Sequence, residues 1–457
     1  MKPFFNPPLK KGGRGDFRNP HLAATRINPP QPPFFKGGGG WLAGLFFLSL
    51  AAHAAPDLAA PADLPPAAAV STVLEAHPDV LAARARVAAA LAEGRVLKAG
   101  EYEYQAGVGY SRRRETGVGN MNDWELSIER GLRLPGKARL DAEIGASLAT
   151  EAEERVGDAR HEAARDLLAT WYAALRAQGE TQIWGEQAGL LKRQLEVVEK
   201  RVKAGDAARM ERSRAEADLR QAEAEARRAE MAAAEAAAGL AARFPGLPPP
   251  AMPTATDALP ALGGDAAEWV EAGLEHNHEL AILRQESERM RIQARRRQAE
   301  LTPDPSIGLR YARERDGQDN LLGVSLTLPL PGANRRARID VATQEALALT
   351  QREAGAKARI EGGIRVTHSR LRGSLNRSEA IERMARQLDG YADLAWRAYQ
   401  MGETPLSEAL NARKGALDAR REATLARLDA NEAAARLLLD SHRLWPLDEQ
   451  AEHHATR

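Results

Sequence analysis

The chain writes one pattern twice. His77-Pro78-Asp79-Val80 opens the first copy and Asn277-His278-Glu279-Leu280 the second. Leu134-Pro135-Gly136-Lys137-Ala138-Arg139 is answered by Leu330-Pro331-Gly332-Ala333-Asn334-Arg335, and Lys203-Ala204-Gly205-Asp206 by Gln400-Met401-Gly402-Glu403. The three markers stay in step at separations of 200, 196 and 197 residues, so each half is one structural unit used twice. Residues 245–265, rich in proline and glycine, read as the linker between a first repeat at 68–244 and a second at 266–446. Each repeat has the order helix, strand, strand, long helix, breaker, long helix. A Pro/Ala linker at 55–67 precedes them and a polar tail at 447–457 follows.

The strands alternate. Ala106, Val108 and Tyr110 interleave with Gly107, Gly109 and Ser111, and Trp124, Leu126 and Ile128 with Glu125, Ser127 and Glu129. In the second copy Ile307, Leu309 and Tyr311 alternate with Gly308 and Arg310, and Val324, Leu326 and Leu328 with Gly323, Ser325 and Thr327. One face is apolar and the other small or polar, over runs of roughly 9 to 11 residues, the length of a tilted membrane strand. Two soluble hairpins packed on helices would show the same alternation. Four strands cannot close a barrel, and lipid tolerates no open edge, so a membrane barrel would have to be shared between chains.

Composition favours long helices over compact cores: 5% of residues are aromatic and 28% charged. Between Gly136 and Gly205 no proline interrupts about 65 residues, which as a helix would reach about 100 Å. The return segment to Arg243 is alanine-rich, with acidic and basic residues spaced for i, i+4 pairs. An isolated cytoplasmic coiled coil would explain these helices, but not the hairpins. Lysine plus arginine (64) balance aspartate plus glutamate (63), so net charge gives no argument for nucleic acid. The absence of cysteine excludes disulfides, thiolate metal sites and acylated-cysteine anchors.

Residues 41–52 (WLAGLFFLSLAA) form an apolar run of signal-peptide length. Lys36 precedes it, and Ala52-His53-Ala54 offers a small-x-small cleavage site before Ala55. The run is too short to span a bilayer as a helix. An exported protein is expected, with residues 1–54 an N-terminal extension and signal peptide. The extension repeats itself, NPPLKKGG at 6–13 and NPPQPPFFKGG at 28–38, and such Pro/Gly-rich sequence builds no core.

Residues 398–412, Ala-Tyr-Gln-Met-Gly-Glu-Thr-Pro-Leu-Ser-Glu-Ala-Leu-Asn-Ala, resemble the A-Y-x-x-G-x-x-x-x-x-D-x-L-x-A pattern of the TolC-like outer-membrane efflux factors. With the two-copy layout, the paired openings and the Leu-Pro-Gly motifs, the resemblance runs from about Ala67 to Trp445. It implies a mainly α chain with a small β part: a two-repeat long-helix tunnel, plus four strands per chain toward a twelve-stranded barrel in a homotrimer. It also implies a Gram-negative outer-membrane location with helices in the periplasm, and a passive export duct. The implied partners are outer-membrane lipid, a periplasmic adaptor (membrane fusion protein) and an inner-membrane RND-type pump. Leu-Pro-Gly-Lys at 134–137 and Leu-Pro-Leu-Pro-Gly at 328–332 resemble the heavy-metal, CzcC-like branch, which implies divalent metal cations as cargo. The alternative is an exported periplasmic coiled-coil protein, structural or adaptor-like.

In a duct the narrow end matters most. Gly205 and Gly402 interrupt long helices where glycine can take the left-handed turn conformation. The helix-turn-helix tips they form would offer Asp206, Glu403 and Thr404 to an adaptor. By resemblance, Glu408 stands at the family's first aperture carboxylate, Asn411 replaces the second, and Tyr399 lies near the aperture. Threefold symmetry would make Glu408 a ring of three carboxylates, which favours cations. Pro135-Gly136 and Pro331-Gly332 read as strand-to-helix turns.

Residues 131–138 have the spacing of a phosphate-binding loop but end in Ala138, where serine or threonine must hold magnesium. The pairs His276/His278 and His453/His454 read as solvated rather than as metal ligands. No catalytic set is recognisable and no cofactor is expected, so the chain does not read as an enzyme.

Overall fold

The computed structural model describes residues 58–252 and 258–445. The signal-like run at 41–52, the repetitive extension, the tail at 447–457 and His453/His454 lie outside the described residues. The described residues hold eight α-helices and four strands: α1 (Ala67–Glu75), α2 (Pro78–Ala99), β1 (Gln105–Glu115), β2 (Gly119–Gly131), α3 (Pro135–Ala204), α4 (Arg209–Arg243), α5 (Ala266–Glu275), α6 (His278–Ala299), β3 (Ser306–Glu314), β4 (Asp319–Thr327), α7 (Ala333–Gln400) and α8 (Leu406–Asp440). The second repeat reproduces the first element for element.

Two helices, not one, open each repeat. Pro78 stands at the first position of α2, and a residue before proline is driven out of helical conformation, so His77 is extended and ends the preceding turn. In the second copy Asn277 does the same by capping, its Oδ1 accepting from the Leu280 amide at 2.9 Å. Asp265 starts α5 with a full capping box to Glu268.

The 70 residues of α3 and 68 of α7 give helices of about 105 and 102 Å. Each is backed by shorter helices laid end to end. Toward the tip α4 runs antiparallel to α3, with Arg212 on Glu199 and Arg243 on Asp166; α8 runs antiparallel to α7, with Arg413 on Asp393 and Arg427 on Glu382. Toward the sheet α6 returns along α3, through Arg289 on Glu151 and Arg296 on Asp141. The main core sits midway, where Leu167, Trp171, Tyr172 and Leu175 of α3 pack with Leu428, Leu437 and Leu439 of α8, and with Trp269 of α5. Burial of this apolar band supplies the stability that charged helices of low intrinsic hydrophobicity lack. No helix among the described residues is long and apolar enough to cross a membrane.

The proline-rich stretch at 55–67 is not a free spacer. Its described part is docked: Asp63 is buried, its backbone carbonyl accepting from Trp171 Nε1 at 2.7 Å and its carboxylate from Tyr172 Oη at 2.8 Å and Asn431 Nδ2 at 2.9 Å. A carboxylate with that many donors is satisfied in the core, and it ties the two repeats together.

The four strands make one antiparallel sheet in the order β1-β2-β3-β4, which leaves β1 and β4 as open edges. Register puts Val108 opposite Leu126, Leu126 opposite Tyr311, and Leu309 opposite Val324, so the alternation of each strand adds up to one continuous apolar face.

Candidate functional site

The sheet presents two faces of opposite chemistry. Val108, Leu126 and Val324 are 74%, 55% and 76% exposed, an apolar patch that no described residue covers. The other face is small and acidic. It carries Gly107, Gly109, Gly308, Gly323, Ser127 and Ser325, together with Glu115, Asp123, Glu125, Glu129, Glu314 and Asp319. Its two arginines are paired: Arg113 with Asp123 (3.1 Å) and Glu314 (2.9 Å), and Arg310 with Glu125 (2.9 Å).

Where the sheet meets the helices, Lys137 Nζ lies 2.9 Å from Asp304, both side chains almost fully buried. Asp304 also accepts from the Leu134 amide at 3.1 Å and from Tyr102 Oη at 2.8 Å. Burial alone would raise the Asp304 pKa; the bonds from Lys137, Leu134 and Tyr102 outweigh it and hold the carboxyl below its ordinary range. The lysine that mimics a phosphate-binding loop is therefore committed to an internal carboxylate. Pro135 and Gly136 form the first turn of α3 rather than a preceding turn, because proline fits the first helical position, where no amide hydrogen is needed. In the second copy Pro331 precedes the helix and Gly332 is its N-cap.

At the far end, both long helices stop in the same way. Gly205 (φ 85°) and Gly402 (φ 80°) are left-handed. The amides of Asp206 and Glu403 bond back to the carbonyls of Arg201 and Ala398, each at 2.9 Å. The glycines, Asp206 and Glu403 are exposed, and Thr404 is half-buried. Met210 and Met401, which sequence reasoning passed over, add exposed apolar surface beside them.

Glu408 and Asn411 lie one turn apart on the exposed side of α8, and Tyr391 Oη donates to Glu408 at 2.6 Å. Tyr399 is held apart from them. It is 2% exposed, its hydroxyl bonded to Glu211 at 3.1 Å and its ring 4.4 Å from the Arg201 guanidinium, so it packs the two tips against each other.

Midway along, four histidines gather. The His442 ring lies 4.9 Å from His161, 5.2 Å from His278 and 6.2 Å from His276 by centroid, beside a cavity of about 220 Å³ that includes Asp158, Glu162 and Asp440. His276 is exposed, but His278 is not solvated as its sequence context implied. It meets Glu154 at 3.1 Å and packs onto Gly157, where a Cβ would come within 2.4 Å of the ring. Among the described residues no group of three or more His, Cys, Asp or Glu side chains is disposed to hold a metal ion.

No family model matches the sequence, and no curated protein matches it. The structure does have relatives in shape. The outer-membrane channel OprN superposes with a TM-score of 0.68 at 19% identity, over 82% of this chain and 90% of that one. The CmeC outer-membrane channel of Campylobacter jejuni gives 0.67 at 13%, over 85% and 88%. The outer-membrane protein VceC of Vibrio cholerae gives 0.65 at 17%, over 83% and 99%. The fold is that of the TolC-like outer-membrane channels.

Proposed function

We propose that this chain is the outer-membrane duct of a tripartite efflux system. Three copies would join their β1 and β4 edges into a twelve-stranded barrel, with the helices forming a periplasmic tunnel whose tips meet an adaptor and, through it, an RND-type inner-membrane pump. The observation that carries this reading is the uncovered apolar face on a sheet with two open edges, joined to antiparallel helices of about 100 Å. A periplasmic coiled coil would leave that apolar face in water, which disfavours the alternative. The acidic second face supports divalent heavy-metal cations as cargo, because carboxylates lining a lumen raise local cation concentration. Membrane fractionation tests the duct: a heat-modifiable, detergent-requiring oligomer in the outer membrane is expected, and a soluble periplasmic monomer would sink it. Metal tolerance of a deletion strain, with and without the chain, tests the cargo.

A further inference from the structure

The register that separates apolar from polar residues also sorts the charges at the hairpin end of the sheet. On the apolar face a row of aromatic rings ends the belt: Tyr110 and Trp124 are 4.9 Å apart by centroid, and Leu126 is opposite Tyr311. Tyr110 Oη donates to Asn122 at 2.7 Å and Tyr311 Oη to Asn320 at 3.0 Å. Arg313 stands opposite Trp124 and Asn320, Arg112 opposite Asn122, and Arg114 opposite Asn120. Arg112 and Arg114 thus continue the apolar face beyond its aromatic edge, and Arg313 stands level with that edge, exposed, with its guanidinium against the Gly317 backbone. Arg112 and Arg114 lie about 7 and 13 Å past Tyr110 along β1, and Arg313 about 10 Å across the sheet.

These three make no ion pair with a described residue, whereas other charges nearby are engaged. Arg113 and Arg310, on the opposite face, hold carboxylates, and Arg315 of the turn pairs with Asp319 at 3.6 Å. Asp316 of the same turn accepts from the amide and Nδ2 of Asn122, both 2.9 Å. At the helix end of the apolar face, Arg130 is likewise occupied, donating to Tyr104 Oη at 3.1 Å with its guanidinium 4.5 Å over that ring. Open cations therefore mark one end of the belt only.

We propose that Arg112, Arg114 and Arg313 form a docking surface for phosphorylated lipid headgroups of the outer leaflet. A guanidinium fork binds phosphate through two parallel N–H···O bonds, and continuity with the apolar belt places acyl chains and headgroup on the same strands. The proposal rests on the barrel reading above, which puts this face in lipid and the hairpins at the cell exterior.

The test uses the purified full chain in nonionic detergent, with diphosphoryl lipid A and its dephosphorylated form as probes. Native mass spectrometry should show the diphosphoryl lipid retained and displaced by salt. R112Q/R114Q/R313Q should weaken retention at least tenfold, while R310Q, on the other face, leaves it unchanged. Equal binding by the triple variant, or equal binding of the dephosphorylated probe, overturns the proposal while leaving the barrel reading standing, provided wild type and variant both reach the outer membrane as oligomers. Absence of the wild-type chain from that membrane overturns both.

Discussion

Lys137 and Asp304 meet across 2.9 Å in almost complete burial, although 167 residues of chain separate them. The contact fastens the start of α3 to the segment that enters β3. Lys137→Met should therefore leave a buried carboxylate without its cation, costing about 3–5 kcal/mol, and Asp304→Asn added to it should recover much of the loss. The pair also sets an acid limit. Because the Asp304 pKa is lowered in the folded state, the unfolded chain takes the proton first. The contribution is therefore complete above the ordinary carboxylate range and is lost as pH falls through the folded value. Denaturant titrations at neutral and acid pH check both; a Lys137→Met protein with wild-type stability at neutral pH would remove the clamp.

The two faces of the sheet should differ in their tolerance of charge. Arginine at Leu126 or Val324 enters the proposed lipid face and should cost about 2–4 kcal/mol near the midplane. Arginine at Ser127 or Ser325 has glycine across the strand, Gly107 and Gly308 respectively, and should be tolerated. Outer-membrane yield of folded oligomer measures the difference. Equal yields from both faces would remove the membrane assignment.

The repeat, the strand parity and the tip glycines were legible because each is local: a marker in step, a period of two, a breaker between helical runs. Parity was enough to foresee which of Val108 or Gly109 faces the apolar side. What stayed hidden are contacts whose partners lie far apart in sequence. Asp63 sat in what reads as spacer, and nothing local announced that Trp171, Tyr172 and Asn431 would converge on it. Lys137 showed as part of a repeat marker and as a false phosphate-loop spacing, and neither announced Asp304 as its partner. Tyr399 carried a family position that says nothing of depth, and its burial is set by Arg201 and Glu211 of the other repeat.

The histidine cluster predicts a pH dependence of its own. Burial, reinforced by Arg165 and His442, lowers the His161 pKa to about 3, and its Nε2 donates to the Leu439 carbonyl at 3.0 Å as a neutral imidazole. The unfolded chain binds this proton near pH 6.5, so the contribution is complete above that value and declines between about 6.5 and about 3. The slope from one proton is at most about 1.4 kcal/mol per pH unit. His161→Gln keeps a donor but cannot titrate, and should flatten the melting temperature over this window. An unchanged profile would assign the acid sensitivity elsewhere.

Gly402→Pro addresses the tip. The Gly402 amide donates to the Tyr399 carbonyl at 3.0 Å and its φ is +80°; proline has neither the hydrogen nor access to that angle. The turn should be lost while the sheet, about 100 Å away along α7, still inserts. Normal outer-membrane delivery with abolished efflux is expected. Wild-type efflux would show that this turn is dispensable for docking.

Glu408 offers the sharpest test of the proposed duct and its proposed cargo. It stands six residues past Gly402, exposed on α8, with Asn411 one turn on. In a trimer one carboxylate becomes three, and such a ring attracts divalent cations strongly enough to slow their passage. Tyr391, whose hydroxyl donates to Glu408 at 2.6 Å, steadies the side chain, and that bond raises the tyrosine's own pKa. Glu408→Gln keeps the shape and can still accept from Tyr391, so assembly should not change while the charge disappears. Single-channel recording in planar bilayers should then show weaker block by divalent cations and a reduced preference for cations over anions. Tyr391→Phe separates position from charge: it should loosen the block without abolishing the preference. A Gln variant with wild-type block and preference would make Glu408 a solvated residue of the helix face and shift cation selection to the acidic face of the sheet.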